Sequence, residues 1–358
     1  MNHGNNTLGA GELRPRFFTE RRRLAALLFI LSAVFLASFA LGRYGVSIGQ
    51  VIRILADAVL RLLTGGKVGL TQTWTDVMRT AVLNIRLPRI LMACLVGCCL
   101  SAAGASYQGV FQNPMASPDV LGASSGAAFG AALAILLGAS SQMVTVSAFV
   151  FSLLTVGLVF LIASRAPGMR VVNLILAGIM ISSLFSAGTS YFKLVADPNN
   201  QLPAITYWLM GSLSGTDMKK VGTVIVPMLA GCSVLLLIRW RINLLTLGDE
   251  EAHTLGINTD ALRLIVIVCA TLITASSIAA SGMIGWVGLV IPHLARKLVG
   301  SNYKHLMPAS MLAGAAFLLV TDNVSRNLLA VEIPIGILTA FIGAPFFIHL
   351  IMRRDGSL

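Results

Sequence analysis

Apolar residues in this chain come in long unbroken runs separated by short polar breaks, and ten runs approach the length of a membrane-crossing helix. They fall at about residues 24–42, 88–108, 119–138, 143–163, 171–195, 220–238, 262–281, 284–299, 306–325 and 334–352; roughly 20 apolar residues cross the hydrocarbon core as a helix. Only helices and closed barrels satisfy every backbone group in lipid. Barrel strands alternate polar and apolar positions, which these runs do not, so the pattern predicts an all-α, polytopic membrane protein with about ten transmembrane helices. A polar tail at residues 1–20 precedes one membrane domain at 21–358.

Two shorter segments fit no span. Residues 48–63 alternate with helical period, as a helix lying along the membrane surface does. Residues 202–213 are too few to cross and read as a short re-entrant or surface helix. Gly122, Gly126 and Gly130 recur every fourth position, which leaves one helix face almost bare backbone for a neighbour to pack against. No internal repeat is evident, so the inverted duplication of many secondary transporters is not expected.

Composition agrees: 56% of residues are hydrophobic and 11% charged, with a mean hydropathy of +0.85, which is no soluble chain. The net charge of +12 could signal nucleic acid, but its distribution argues otherwise. Arg21 to Arg23, the Arg239–Arg263 loop and Arg353 with Arg354 place both termini in the cytoplasm under the positive-inside rule. No nucleic-acid partner is expected; membrane lipid is. The Arg-rich start followed by Leu24 to Leu41 resembles a signal peptide cleaved after Ala40, but its apolar run exceeds the usual 7–15 residues or so, and a retained first span is expected.

Catalytic machinery is not found. Cys94 and Cys98 stand one helical turn apart, yet no His or carboxylate accompanies them in that run, so packing is favoured over a metal site. Gly65-Gly66-Lys67 lacks the leading Gly and the following Ser or Thr of a phosphate loop. Asp322 is the one intramembrane carboxylate singled out, too little for ion coupling. A large polytopic chain without an ATP site or an ion relay points to a pore driven by another subunit. A stand-alone secondary carrier and a membrane enzyme are the alternatives.

Two features suggest partners. In the loop at about 240–261, Gly248 precedes Asp249, Glu250, Glu251 and Ala252, acids at the start of a short helix that Gly256 ends; such a helix either docks into a partner's groove or is solvated. Arg86 and Arg89 bracket Pro88 at the start of the second span, where the helix dipole disfavours cations. With Arg326 they form three outward arginines. These either receive carboxylates from a soluble partner or pair locally, with lipid phosphate or, for Arg326, with Asp322 or Glu332.

Motifs then add a resemblance. Ile85-Arg-Leu-Pro-Arg, Gln112-Asn-Pro-Met-Ala-Ser-Pro-Asp-Val-Leu-Gly, Leu176-Ala-Gly, Tyr207-Trp-Leu-Met-Gly, Leu247-Gly-Asp-Glu-Glu-Ala, Gly288-Leu-Val-Ile-Pro-His, Glu332-Ile-Pro-Ile-Gly and Gly343-Ala-Pro-Phe-Phe run in the order found in the FecCD family. The chain resembles these vitamin B12 permease-like subunits of ABC importers for iron-siderophores, haem and vitamin B12. The resemblance implies a homodimer with two ATP-binding cassette subunits, which hold ATP and Mg, and a periplasmic-type binding protein. This chain itself would be no enzyme and would bind no cofactor. Arg86, Arg89 and Arg326 would dock the binding protein, the Gly248–Gly256 segment would couple to the ATPase, and Asn113, Pro114, Met115, Val171 and Val172 would belong to a cytoplasmic gate. An iron-siderophore is the expected cargo, and Tyr107, Met180 and Met210 are candidate substrate-facing residues.

Overall fold

The computed structural model describes residues 16–42, 44–65, 69–167, 169–254, 256 and 258–352. The first fifteen residues, Arg43, the 66–68 part of the phosphate-loop candidate, Arg353 and Arg354 lie outside this set. Every predicted span is a helix. They correspond to α1 (Arg16–Ala40), α4 (Leu87–Val110), α5 (Ala123–Leu136), α6 (Ser141–Arg165), α7 (Arg170–Val195), α9 (Met218–Leu245), α11 (Thr259–Ser281), α12 (Val287–Val299), α13 (Tyr303–Asn327) and α14 (Ile335–Met352). Residues 16–20, expected as tail, already belong to α1. Among the described residues seven helices are long and apolar enough to cross a membrane alone; α5, α12 and α14 are the short ones.

The short helices have local causes. Ser117 precedes a proline and is extended, as the proline ring demands; one 3₁₀ turn (Pro118–Leu121) follows, and Gly122 at φ +77° breaks the chain before α5. Likewise Gly282 at φ +69° ends α11, and the chain stays irregular until Val287. The runs predicted from 119 and 284 therefore begin a few residues later as helices.

The elements outside those runs are α2 (Ile48–Leu63), α3 (Asp76–Thr80), α8 (Gln201–Leu209) and α10 (Asp249–Thr254). Helix α2 opens with a capping box between Ser47 and Gln50, which satisfies two free donors. It buries Val51, Ile54 and Asp57, while Ile48, Ile52, Val59 and Leu62 stay exposed, the arrangement of a helix along an interface. Helix α8 lies in the connection between α7 and α9 and buries Ile205 beside Ala132 of α5.

Helix α4 is the axis of packing. Every residue from Cys99 to Val110 is buried, and α9, α11, α12 and α13 surround it. Lipid is as apolar as leucine, so packing of small residues replaces the hydrophobic effect. A Cβ on Gly97 would collide with the Gly314 carbonyl of α13, and one on Gly104 with the Gly288 carbonyl of α12. The predicted Gly stripe acts likewise: Gly126 abuts Thr155 and the Phe151 carbonyl, and Gly130 the Ser147 carbonyl, all on α6.

Contacts between distant residues fix the two ends of the bundle. At one, His305 Nε2 lies 3.1 Å from Glu20, and Asn243 binds Asn302 at 3.2 Å; this end carries the start of α1 and the α9–α10–α11 loop. At the other, Arg86 and Arg326 reach carbonyls at the end of α1.

Candidate functional site

At that second end a buried charge network forms where arginines were expected to face outward. A single π-helical stretch, Ala81–Arg86, runs into α4 just ahead of Pro88; the wider winding accommodates a proline ring that would clash with the carbonyl four residues back. This places Arg86 and Arg89 against neighbouring helices. Arg86 donates to the carbonyls of Phe39 and Tyr44, and Gly42 leaves the room its guanidinium needs. Arg89 donates to Asp322 at 2.8 Å and to both oxygens of Glu332 at 2.9 Å. Arg326 donates to the Ser38 carbonyl at 2.8 Å and to Asn323, and lies 3.7 Å from Asp322.

The three arginines are only 5–8% exposed. Local pairing, one of the two readings open for them, is present: carbonyls and two carboxylates hold them. The compensation that the helix dipole called for comes from Asp322 and Glu332, and both bind Arg89 more closely than Arg326. Unpaired charges at this depth would cost several kcal/mol each, which is why every cation here has oxygen partners.

Below this network three chain breaks meet. The Ser212 N–H donates to the Ser281 carbonyl at 2.7 Å, Ile335 to Gly211 at 2.9 Å and Gly336 to Met210 at 3.2 Å. Gly211 at φ +72° and Gly282 at φ +69° adopt the left-handed conformation that this crossing requires, and a Cβ on Gly282 would strike the Trp208 carbonyl. Trp286 holds a left-handed φ of +69° without being glycine, a strained state that persists only where surroundings impose it. Its side chain lies against Gly343, with its ring 6.4 Å from that of Phe347.

These breaks wall a cleft of ≈ 640 Å³. Leu209 of α8 with Met210 just after it, Met283 to Trp286, and Gly336 to Pro345 on one face of α14 form its apolar sides; Asp119 and Ser124 supply polar groups. Asp119 opens the predicted third span, yet its position at the mouth of that run gives no sign of an intramembrane charge. Of the candidate substrate-facing residues, Met210 lines the cleft. Tyr107 does not: it is fully buried with its hydroxyl 2.9 Å from Thr271, a core residue. Met180 is exposed on α7 but outside the cleft walls.

The gate candidates Asn113, Pro114 and Met115 form an exposed turn after α4, with Asn113 Oδ1 accepting from the Met115 N–H at 2.8 Å. Val171 and Val172 open α7, the latter 44% exposed. Gly248 at φ +117° and Gly256 at φ +74° flank α10, in which Ala252 is fully buried. The buried thiols Cys99 and Cys232 face each other at 3.6 Å; among the described residues no group of three metal-ligating side chains converges.

Known proteins share this architecture. The molybdate import system permease protein MolB of Haemophilus influenzae is 41% identical over 332 residues, 92% of this chain and 95% of that protein. The Fe(3+)-citrate import system permease protein YfmE of Bacillus subtilis is 37% identical over 93% of this chain and 97% of its own length. A structure assigned as the inward-facing conformation of a metal-chelate type ABC transporter superposes with a TM-score of 0.82 at 39% identity, covering 93% of this chain and 99% of that one. The family model describing the FecCD transport family matches residues 29–353. The motifs, the helix order and this match agree, and the chain belongs to the FecCD transport family.

Proposed function

We propose that this chain is the permease subunit of an ABC importer for a metal chelate, an iron-siderophore first among them, and that it works as a homodimer in the cytoplasmic membrane with both termini inside. The observation that carries the reading is the open, apolar cleft walled by breaks in three helical hairpins, in a chain whose family is a transport family. Broken helices at membrane depth are tolerated only where they are buried or line a cavity. The apolar faces of α7 and α14, with Leu184 and Phe341 66% and 75% exposed, are where the partner protomer closes the cleft.

Energy enters at the end that carries α10. Its two flanking glycines, its buried Ala252 and its exposed Glu251 suit a lever seated on an ATPase, so Gly248 to Gly256 act as the coupling segment. The Asn113–Met115 turn and Val171–Val172 lie near the same end and form the gate. The binding protein sits at the opposite end, where its carboxylates reach Arg89 only by displacing Glu332.

The test is reconstitution of the chain with its ATPase and binding protein in vesicles. Uptake of a labelled chelate should require ATP, and a Glu251→Cys variant should crosslink to the ATPase in at least one nucleotide state. Uptake sustained by an ion gradient without ATP would instead establish a secondary carrier. Absence of any crosslink would remove the coupling role of α10.

A further inference from the structure

One carboxylate at membrane depth stands apart from the charge network. Pro118, beside Asp119, packs on Gly288, which also abuts Gly104 and the Leu100 carbonyl; these lie six and ten residues from the end of α4, about 9 and 15 Å at a helix's 1.5 Å per residue. Val120, on its other side, places its carbonyl against Gly178 of α7, eight residues from that helix's start, or about 12 Å. These measures set Asp119 about 9–15 Å inside a hydrocarbon core of roughly 30 Å.

A charge at that depth is retained where it faces a water-filled cavity or a partner. Asp119 is exposed to the cleft, and none of the described residues lining it is Lys, Arg or His. Its side-chain partner is the Ser124 hydroxyl, which donates to it, so the other polar group in the wall is already committed. The remaining wall is aliphatic, aromatic and thioether, with Met210, Met283, Trp286 and Phe341 the largest surfaces.

We infer that Asp119 orients the cargo, and that the cleft takes a bulky, apolar-faced chelate that is neutral or positively charged and carries an outward hydrogen-bond donor, while rejecting a small free oxyanion. A cleft of ≈ 640 Å³ is in the range of sites that enclose whole organic ligands, and an oxyanion of a few atoms would touch little of its wall. It would also meet a like charge with no cation among the described lining residues, where low-dielectric walls focus the field. The inference rests on the importer reading above and adds the class of cargo.

The test uses the reconstituted complex of permease, ATPase and binding protein with an Ala340→Cys reporter on the α14 wall. Modification rates by a positively and a negatively charged methanethiosulfonate are compared, after correction for intrinsic reactivity and for labelling without the reporter. The positive reagent should lead by about tenfold or more, falling to within about twofold when Asp119→Asn is added and persisting with Asp119→Glu. An equal ratio with and without Asp119 would overturn the inference. In the same vesicles ferrichrome, cyanocobalamin and molybdate are offered as labelled probes. Uptake of ferrichrome or cyanocobalamin that Asp119→Asn slows supports the assignment, and molybdate carried as fast as the chelates defeats it. ATP-independent uptake by the wild type would fail the importer reading separately, leaving the labelling ratio as the measure of Asp119.

Discussion

Arg89 and Asp322, 233 positions apart, meet at 2.8 Å with side chains 9% and 0% exposed, and this pair ties the start of α4 to the last turns of α13. Asp322 is the fully buried partner, and losing Arg89 strands it, whereas losing Asp322 leaves Arg89 on Glu332. Arg89→Leu should therefore cost about 3–5 kcal/mol, as leaving one charge of a buried pair uncompensated does, whereas replacing both residues by leucine should cost less. Thermal unfolding in detergent micelles reads the difference. A double variant no more stable than the single one would show that the pair holds more than mutual charge.

Close backbone contact makes a second prediction. Gly97 of α4 and Gly314 of α13 lie so near that neither tolerates a Cβ, each meeting the other's carbonyl. Overpacking a filled contact costs typically about 1–3 kcal/mol, so Gly314→Ala should lower stability by that much. Gly157, where an added Cβ would meet nothing within 4 Å, is the control, and its alanine variant should be neutral or slightly stabilising because Gly is a poor helix former. Equal losses at both positions would mean that helix contact is not what selects glycine here.

The helices were legible because each span is a continuous apolar run, and the surface helix α2 because its period shows in the polar positions. The charge network was legible only in part. Asp322 and Glu332 stood out as acids near Arg326, but their tighter bonds go to Arg89, 233 and 243 positions away, and sequence spacing does not report lateral contacts between distant helices. Asp119 escaped for a related reason. Ser117-Pro118-Asp119 looks like the mouth of a span, and its depth comes from Pro118 packing on Gly288. The cleft itself follows from three chain breaks joined by backbone hydrogen bonds, a meeting no single segment encodes.

Outside the spans, Asp57 of α2 predicts a pH response. It is 2% exposed; burial pushes its carboxyl up, but the Leu70 N–H at 2.9 Å and the Arg61 guanidinium at 2.7 Å outweigh that and hold it below the ordinary carboxylate value. A depressed value contributes stability above the unfolded-state pKa of about 3.9 that is lost as pH falls through the lower folded value. The segment around Leu70 should therefore keep its protection from pH 7 to about 5 and lose it only below about 4. Hydrogen exchange at the Leu70 amide measures this. Loss of protection near neutrality would assign the contact to another group.

Glu332 makes the last prediction, because it is the accessible member of an otherwise closed network. Its side chain is 29% exposed while Arg89 is 9% exposed, so a carboxylate on an approaching binding protein must compete with Glu332 for the same guanidinium. Replacing Glu332 by Gln keeps its shape and weakens its hold on Arg89, leaving Asp322 to anchor that side chain. The variant should bind the binding protein several-fold more tightly, since an incoming carboxylate still forms a full ion pair with Arg89 while the internal competitor is now neutral. The gain should shrink at high salt, where partly exposed ion pairs are screened. Affinity is measured on the detergent-solubilised permease–ATPase complex by surface-immobilised binding protein at two ionic strengths. An affinity unchanged by Glu332→Gln at both would exclude Arg89 from docking and leave the network a structural clamp between α4, α13 and the loop that leads into α14.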